Sequence, residues 1–314
     1  MNRRFLVTGF VVLAIGYVFA ISHSQTDTHA NVPEIVKSAV ATDADNSAEL
    51  AESDNRSVDV AASNLQAIEQ TRALVHVQRP QWRQNDSLNQ LFEELKAQAR
   101  AGNTAAAYVL GMNLHHCYYV PVDDVELAEK LFQASEFKDN GQALTDIQQR
   151  YDYCEGISRV ERDGFYRYLE LAAARGNVPA QEAIAELTPE LYMAANNFAE
   201  LARDEYVEKR QSFVRQQLDF LASAAQHGSL KALVKLSQLH YAQTAGEDGR
   251  LQAYAFNEMI LALTDDSELQ NRYHWFQQRA LNEFTLEEIE RAVTMAEQWL
   301  ARINANGSVY SHNN

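Results

Sequence analysis

Basic residues are in short supply in this chain of 314 residues: 27 Lys and Arg stand against 43 Asp and Glu, a formal net charge of −16. That balance disfavours nucleic-acid binding, which needs a basic footprint on the phosphates, and equally disfavours docking on anionic lipid. Proline occurs only five times and alternating β-rich runs are almost missing, so a predominantly helical chain is expected. There is no glycine-rich phosphate-binding loop. Histidine and cysteine do not gather at metal-ligand spacing except at His115, His116 and Cys117; His227, His240 and His274 are scattered. Apolar residues, by contrast, make up 46% of the sequence, enough for a body of roughly 230 residues to bury a core.

What the chain does contain is a motif that occurs three times around a glycine. Its copies centre on Gly102, Gly176 and Gly228. Seven residues before the glycine stand Leu95, Leu169 and Leu221, and three before it Ala99, Ala173 and Ala225. Four after it come Ala106, Ala180 and Ala232, and eight after it Leu110, Ile184 and Leu236. The ninth position is always small: Gly111, Ala185, Ser237. A spacing of four on each side marks one face of a helix. The glycine suits the left-handed position that closes a helix, and Asn103, Asn177 or Ser229 suits the cap of the next. Alanine lets paired helices approach, and leucine fills the groove between them. The fold class expected is all-α, an α/α solenoid of helical hairpin repeats, with atypical capping helices over 251–263, 273–282 and 286–303.

The segments Phe92-Glu-Glu-Leu-Lys-Ala-Gln-Ala-Arg-Ala-Gly-Asn, Tyr168-Leu-Glu-Leu-Ala-Ala-Ala-Arg-Gly-Asn-Val-Pro-Ala-Gln and Phe220-Leu-Ala-Ser-Ala-Ala-Gln-His-Gly-Ser-Leu-Lys-Ala-Leu resemble the Sel-one-like repeat, a bacterially abundant relative of the tetratricopeptide repeat. The stretch Asp124-Val-Glu-Leu-Ala-Glu-Lys-Leu-Phe132 fits the second element of such a repeat, a helix after a short acidic loop. The resemblance covers roughly residues 88–265. It implies a solenoid used for protein–protein contacts, with no family-wide catalytic residue, and a neighbourhood of envelope assembly machinery. The glycines stand 74 and 52 residues apart, wider than the period of such repeats. Gly141 divides the first interval and is read as a degenerate repeat; the second interval holds an insertion, 188–209, read as an extra amphipathic helix.

Arg3 and Arg4 precede residues 5–21, seventeen residues without a charge. Positive residues beside an apolar run put the amino terminus in the cytoplasm and the remainder of the chain across the membrane. The run is long for a signal-peptide core and short for a spanning helix, and Ala20-Ile-Ser22 offers a small-x-small cleavage site. Residues 1–22 are therefore an N-terminal membrane anchor or a signal peptide. The body is periplasmic on an inner-membrane anchor in the first case, periplasmic or secreted in the second. Residues 23–64, with Lys37 and Arg56 their only basic residues, read as a disordered acidic tether. The solenoid occupies 65–304, entered by a helix over 65–77, and 305–314 is expected to be a disordered tail.

Cys117 lies 15 residues after Gly102 and Cys154 lies 13 after Gly141, which puts both at the ends of neighbouring second helices. In an oxidising compartment they pair as a disulfide. The same neighbourhood is rich in tyrosine, and Tyr118, Tyr119, Tyr151 and Tyr153 are assigned as partly exposed binding residues, because tyrosine combines contact area with a polar tip. Phe165, Tyr166 and Tyr168 belong to the same cluster but are not assigned to binding, since aromatics here also serve as repeat core or pack over the disulfide. Adjacent His115 and His116 point about 100° apart on a helix and cannot share one metal ion without distortion. The function expected is a non-enzymatic scaffold that binds another envelope protein or peptide, with no catalytic residue, cofactor, metal or nucleic acid. The alternative is an exported hydrolase or metal-dependent enzyme using His115, His116 and Cys117.

Overall fold

The computed structural model describes residues 73–85, 87–137, 140–242 and 248–313. The expected leader and tether, residues 1–64, lie outside the described residues. No helix among the described residues is long and apolar enough to cross a membrane.

The described chain is helical apart from two short strands. In order it runs β1 (Val75–His76), α1 (Leu88–Arg100), α2 (Thr104–Cys117), α3 (Asp124–Ser135), α4 (Gly141–Cys154), α5 (Arg159–Asp163), α6 (Phe165–Ala173), α7 (Val178–Glu186) and α8 (Pro189–Ala195). A 3-10 turn at Phe198–Glu200 leads into α9 (Arg203–Gln226), α10 (Leu230–Tyr241), α11 (Gly249–Leu263), α12 (Ser267–Ala280), α13 (Leu286–Asn306) and β2 (Ser308–Val309).

Each motif glycine closes a hairpin. Gly102, Gly176 and Gly228 have φ of 96°, 84° and 76°, the left-handed region that glycine occupies without a Cβ penalty. The backbone bonds repeat as well. Gly102, Gly176 and Gly228 donate to Ala99, Ala173 and Ala225, and the following residue donates to Gln98, Ala172 and Ala224, which is the Schellman closure. Asn103, Asn177 and Ser229 then cap the second helices, each side chain accepting from Ala106, Ala180 or Ala232 at 3.1, 3.0 and 3.0 Å. The alanine of the fourth column is thus both the small packing residue and the capped N–H. Gly111 shows why the last column is small. A Cβ there would sit 2.8 Å from the Leu169 side chain, because α2 packs directly on α6.

The three hairpins follow one another in contact, α2 on α6 and α7 on α9, and the third packs through α10 on the next helix, α11. The wide first interval is explained by α3 and α4, which pair with each other while α2 and α6 meet without them. Gly141 therefore closes no hairpin. It is the first residue of α4, after Asn140, and nothing lies within 4 Å of where its Cβ would be. The insertion 188–209 is not one helix either. Asn197 at φ 58° breaks it into α8, the 3-10 turn and the first turns of α9. The C-terminal helices form close to the positions expected, and α13 packs against α11 and α9.

The tail is ordered, contrary to expectation. β2 pairs in parallel with β1, Val75 opposite Ser308 and His76 opposite Val309, so the described part of 65–77 is extended rather than helical. Tyr310 bonds both ways to the third hairpin turn, accepting from Leu230 and donating to Gly228. Arg79 fastens the two terminal segments together. It donates to the Glu182 carboxylate at 2.6 and 2.8 Å and to the Ser311 carbonyl at 2.6 Å, and Ser229 Oγ donates to the same carboxylate at 2.5 Å. A tail that looks too polar for a core is held by backbone pairing and one buried ion pair.

Candidate functional site

Cys117 and Cys154, the last residues of α2 and α4, form a disulfide with their Cα atoms 5.7 Å apart. The side chain beside it is one that sequence reasoning missed. Arg162 on α5 is fully buried and has no carboxylate partner among the described residues. Its guanidinium instead donates to five carbonyls: Cys117, Val120 and Pro121 at 3.2, 2.6 and 3.1 Å, Cys154 at 2.9 Å and Ile157 at 2.9 Å. It thus sits on the negative ends of two helix dipoles at once. Burial lowers its pKa, and the five acceptors offset the cost of that burial.

The four tyrosines expected to be partly exposed are not alike. Tyr151 and Tyr153 are buried, because the disulfide and Arg162 draw the end of α4 inward. Tyr151 donates to Asp124 Oδ1 at 2.8 Å and Tyr153 to Asn113 Oδ1. Tyr118 is half-buried, edge-on to Tyr119 and Phe165 with centroids 4.8 and 5.5 Å away. Only Tyr119 is well exposed, at 68%. The histidines are drawn in too. His115 lies 4.9 Å from the Phe165 ring, and His116 lies 5.5 Å from Trp82 and 6.0 Å from Tyr153. Burial lowers the pKa of both; for His116 it falls to about 4, with Arg83 and Arg150 adding to the effect. The Cys117 sulfur is bonded to Cys154, so it offers no thiolate nucleophile. Among the described residues no group of three or more His, Cys, Asp or Glu could hold a metal ion.

A concave site lies elsewhere, across α10, α11 and α12. It is lined by Ser237, Gln238 and Tyr241 from α10, by Arg250, Tyr254 and Asn257 at i, i+4 and i+7 of α11, and by Arg272, Phe276 and Arg279 at the same spacing of α12. The cavity holds about 310 Å³. Its floor is buried: Tyr254, Tyr273 and the Ser237–Asn257 pair, in which Ser237 Oγ donates to Asn257 Oδ1 at 2.6 Å. Phe276 and Phe284 form apolar walls, and Tyr241, 53% exposed, stands at the rim.

A second depression of about 350 Å³ continues from it toward α7, sharing Gln238 and Arg272 and adding Lys231, Lys235 and His312. Together the two are lined by five Lys or Arg and three carboxylates, the reverse of the balance in the whole chain. Glu182 is taken by Arg79 and Ser229, and Glu283 by Arg250 at 3.1 Å. Arg272 pairs with exposed Glu268 at 2.8 Å. The Arg279 guanidinium lies 5.5 Å from the Trp275 ring. His312 reports the positive surroundings: burial lowers its pKa, and Lys231 and Arg272 lower it further. A signal for this site existed in the sequence, since Lys231 and Lys235 at i, i+4 and Arg272 and Arg279 at i, i+7 put paired cations on one helix face in an acidic chain, but they lie on different helices and no local spacing joins them.

The chain matches no family model, no curated protein and no solved structure.

Proposed function

We propose that this protein is a non-enzymatic protein–protein interaction scaffold, an α/α solenoid of Sel-one-like hairpin repeats with atypical C-terminal capping helices. Its binding surface is the groove across α10, α11 and α12. The observation that carries this reading is the hairpin geometry. Three turns with the same left-handed glycine, the same backbone closure and the same cap stack in succession, and the third opens onto an aromatic cavity with an exposed rim. Stacked hairpins of this kind present extended concave faces to partners.

The sequence and the disulfide support a compartment. Arg3 and Arg4 before the uncharged run 5–21 export the body, and a disulfide between Cys117 and Cys154 belongs in an oxidising space. The body works in the periplasm, held to the inner membrane by residues 5–21 or released by cleavage. There it supports the assembly or regulation of an envelope process by holding another envelope protein or peptide.

Site-specific photo-crosslinking in cells that make the protein tests this. A photoreactive residue at Tyr241 or Phe276 is expected to capture a discrete envelope protein, and one at exposed Phe132 or Val160 is not. Crosslinks confined to the latter positions would sink the groove reading.

A further inference from the structure

We infer that the groove takes a short acidic segment of the partner, in which one aromatic or long aliphatic side chain is flanked by Asp or Glu. This rests on the scaffold reading above and specifies its ligand chemistry.

Three features of the groove argue for it. The first is size: about 310 Å³ is at the small end of ligand cavities, room for a single anchor side chain. Its floor, Tyr254 and Tyr273 with walls of Phe276 and Phe284, is suited to a ring or a branched aliphatic group. The second is charge. Arg250, Arg272 and Arg279 stand around the cavity, and Lys231 and Lys235 carry the positive rim on toward α7. Acidic residues of a bound segment are therefore expected mainly on that side of the anchor.

The third feature is availability. Lys235 and Arg279 make no ion pair among the described residues, and the Arg250–Glu283 and Arg272–Glu268 pairs are exposed. Exposed pairs contribute little and exchange readily for a new carboxylate. An arginine fork can then meet that carboxylate through two parallel hydrogen bonds. The remainder of the molecule strengthens the preference. With a net charge of −16 the chain repels acidic segments in general, so a local positive groove both orients them and excludes other docking sites.

Peptide display on the intact, oxidised protein decides the matter. A random twelve-residue library is selected on the wild type and on the double variant Arg272→Glu/Arg279→Glu. The wild type is expected to enrich peptides with two or more Asp or Glu within about four residues of Trp, Phe, Tyr or Leu. The most enriched peptide, fluorescently labelled, should bind the double variant at least about tenfold more weakly, and should also weaken as salt rises. Arg210→Glu, distant from the groove, should leave binding unchanged. The double variant should itself enrich Lys- or Arg-containing peptides, which shows that it is folded.

Enrichment of neutral or basic peptides by the wild type overturns the inference, as does acidic-peptide binding that survives the charge reversal. In either case the scaffold reading stands, with other chemistry or another face. If no peptide is enriched but small aromatic carboxylates bind and the charge reversal abolishes that binding, the groove is a small-molecule site and the inference fails. Failure of enrichment together with failure of groove crosslinking removes both readings.

Discussion

Replacing Arg162 with methionine keeps most of the side-chain length and removes the charge and all five hydrogen bonds. The consequence can be worked from the acceptors. The Cys117 and Cys154 carbonyls each keep a backbone donor, Val120 and Ile157 respectively. The Val120, Pro121 and Ile157 carbonyls keep no other partner among the described residues. An orphaned buried acceptor costs about 1–3 kcal/mol, so three of them cost about 3–5 kcal/mol once the relief of burying no charge is set against the sum. For a domain of this size that is a fall in Tm of about 10 °C. Arg162→Lys should recover only part of the loss, because one ammonium cannot span acceptors at the ends of two helices.

Urea unfolding, with the disulfide intact, measures the loss. The same substitution in a Cys117→Ser/Cys154→Ser background should cost less than it does in the wild type. The disulfide and the guanidinium hold the same two helix ends, so their effects are coupled. A loss below about 1 kcal/mol, or strict additivity with the cysteine replacements, would refute the view that Arg162 is the polar centre of this junction.

Glycines give a paired test. Gly111→Ala puts a Cβ 2.8 Å from the Leu169 side chain and 3.0 Å from its backbone N and should cost about 1–2 kcal/mol, whereas Gly141→Ala meets nothing and should stabilise α4 by about 0.5–1 kcal/mol; thermal melts of both read the contrast. The depressed pKa of His116, about 4 against 6.5, means that the unfolded chain binds the proton first. Its contribution is fully present above pH 6.5 and is lost as pH falls from there toward 4, about 2 kcal/mol in all once the half-buried ring's screening by solvent is discounted. His116→Phe should flatten stability over that window in urea titrations at stepped pH. Arg79→Ala leaves Glu182 buried with Ser229 as its one remaining donor among the described residues and should cost about 3–5 kcal/mol. Hydrogen exchange across residues 307–313 should rise with it, and an unchanged exchange pattern would mean that strand pairing alone holds the tail.

Much of the fold was legible because its signals are local. The Leu–Ala–Gly–Asn columns encode a helix face, a left-handed closure and a cap within about twenty residues, and all three recur in the hairpins at Gly102, Gly176 and Gly228. The disulfide was legible by count, since a chain with two cysteines offers each of them a single partner. Tyr151 and Tyr153 are buried rather than partly exposed because the disulfide and Arg162 draw the end of α4 inward, where their hydroxyls meet Asp124 and Asn113 on other helices; no local signal announces that contact.

The sequence by itself determined the three glycine turns and the helices on either side of them, since periodicity, caps and left-handed glycines act over one or two turns. Only the tertiary structure decided which helices neighbour one another. It bypassed α3 and α4 between two hairpins, joined residues 75 and 308 in one ladder, gathered five carbonyls onto Arg162, and brought cations from three helices to one groove. Each of these depends on contacts between segments far apart in the chain. Such contacts form only when the summed burial and pairing exceed the entropy of closing the loops between them, and that sum has no signature at any single position.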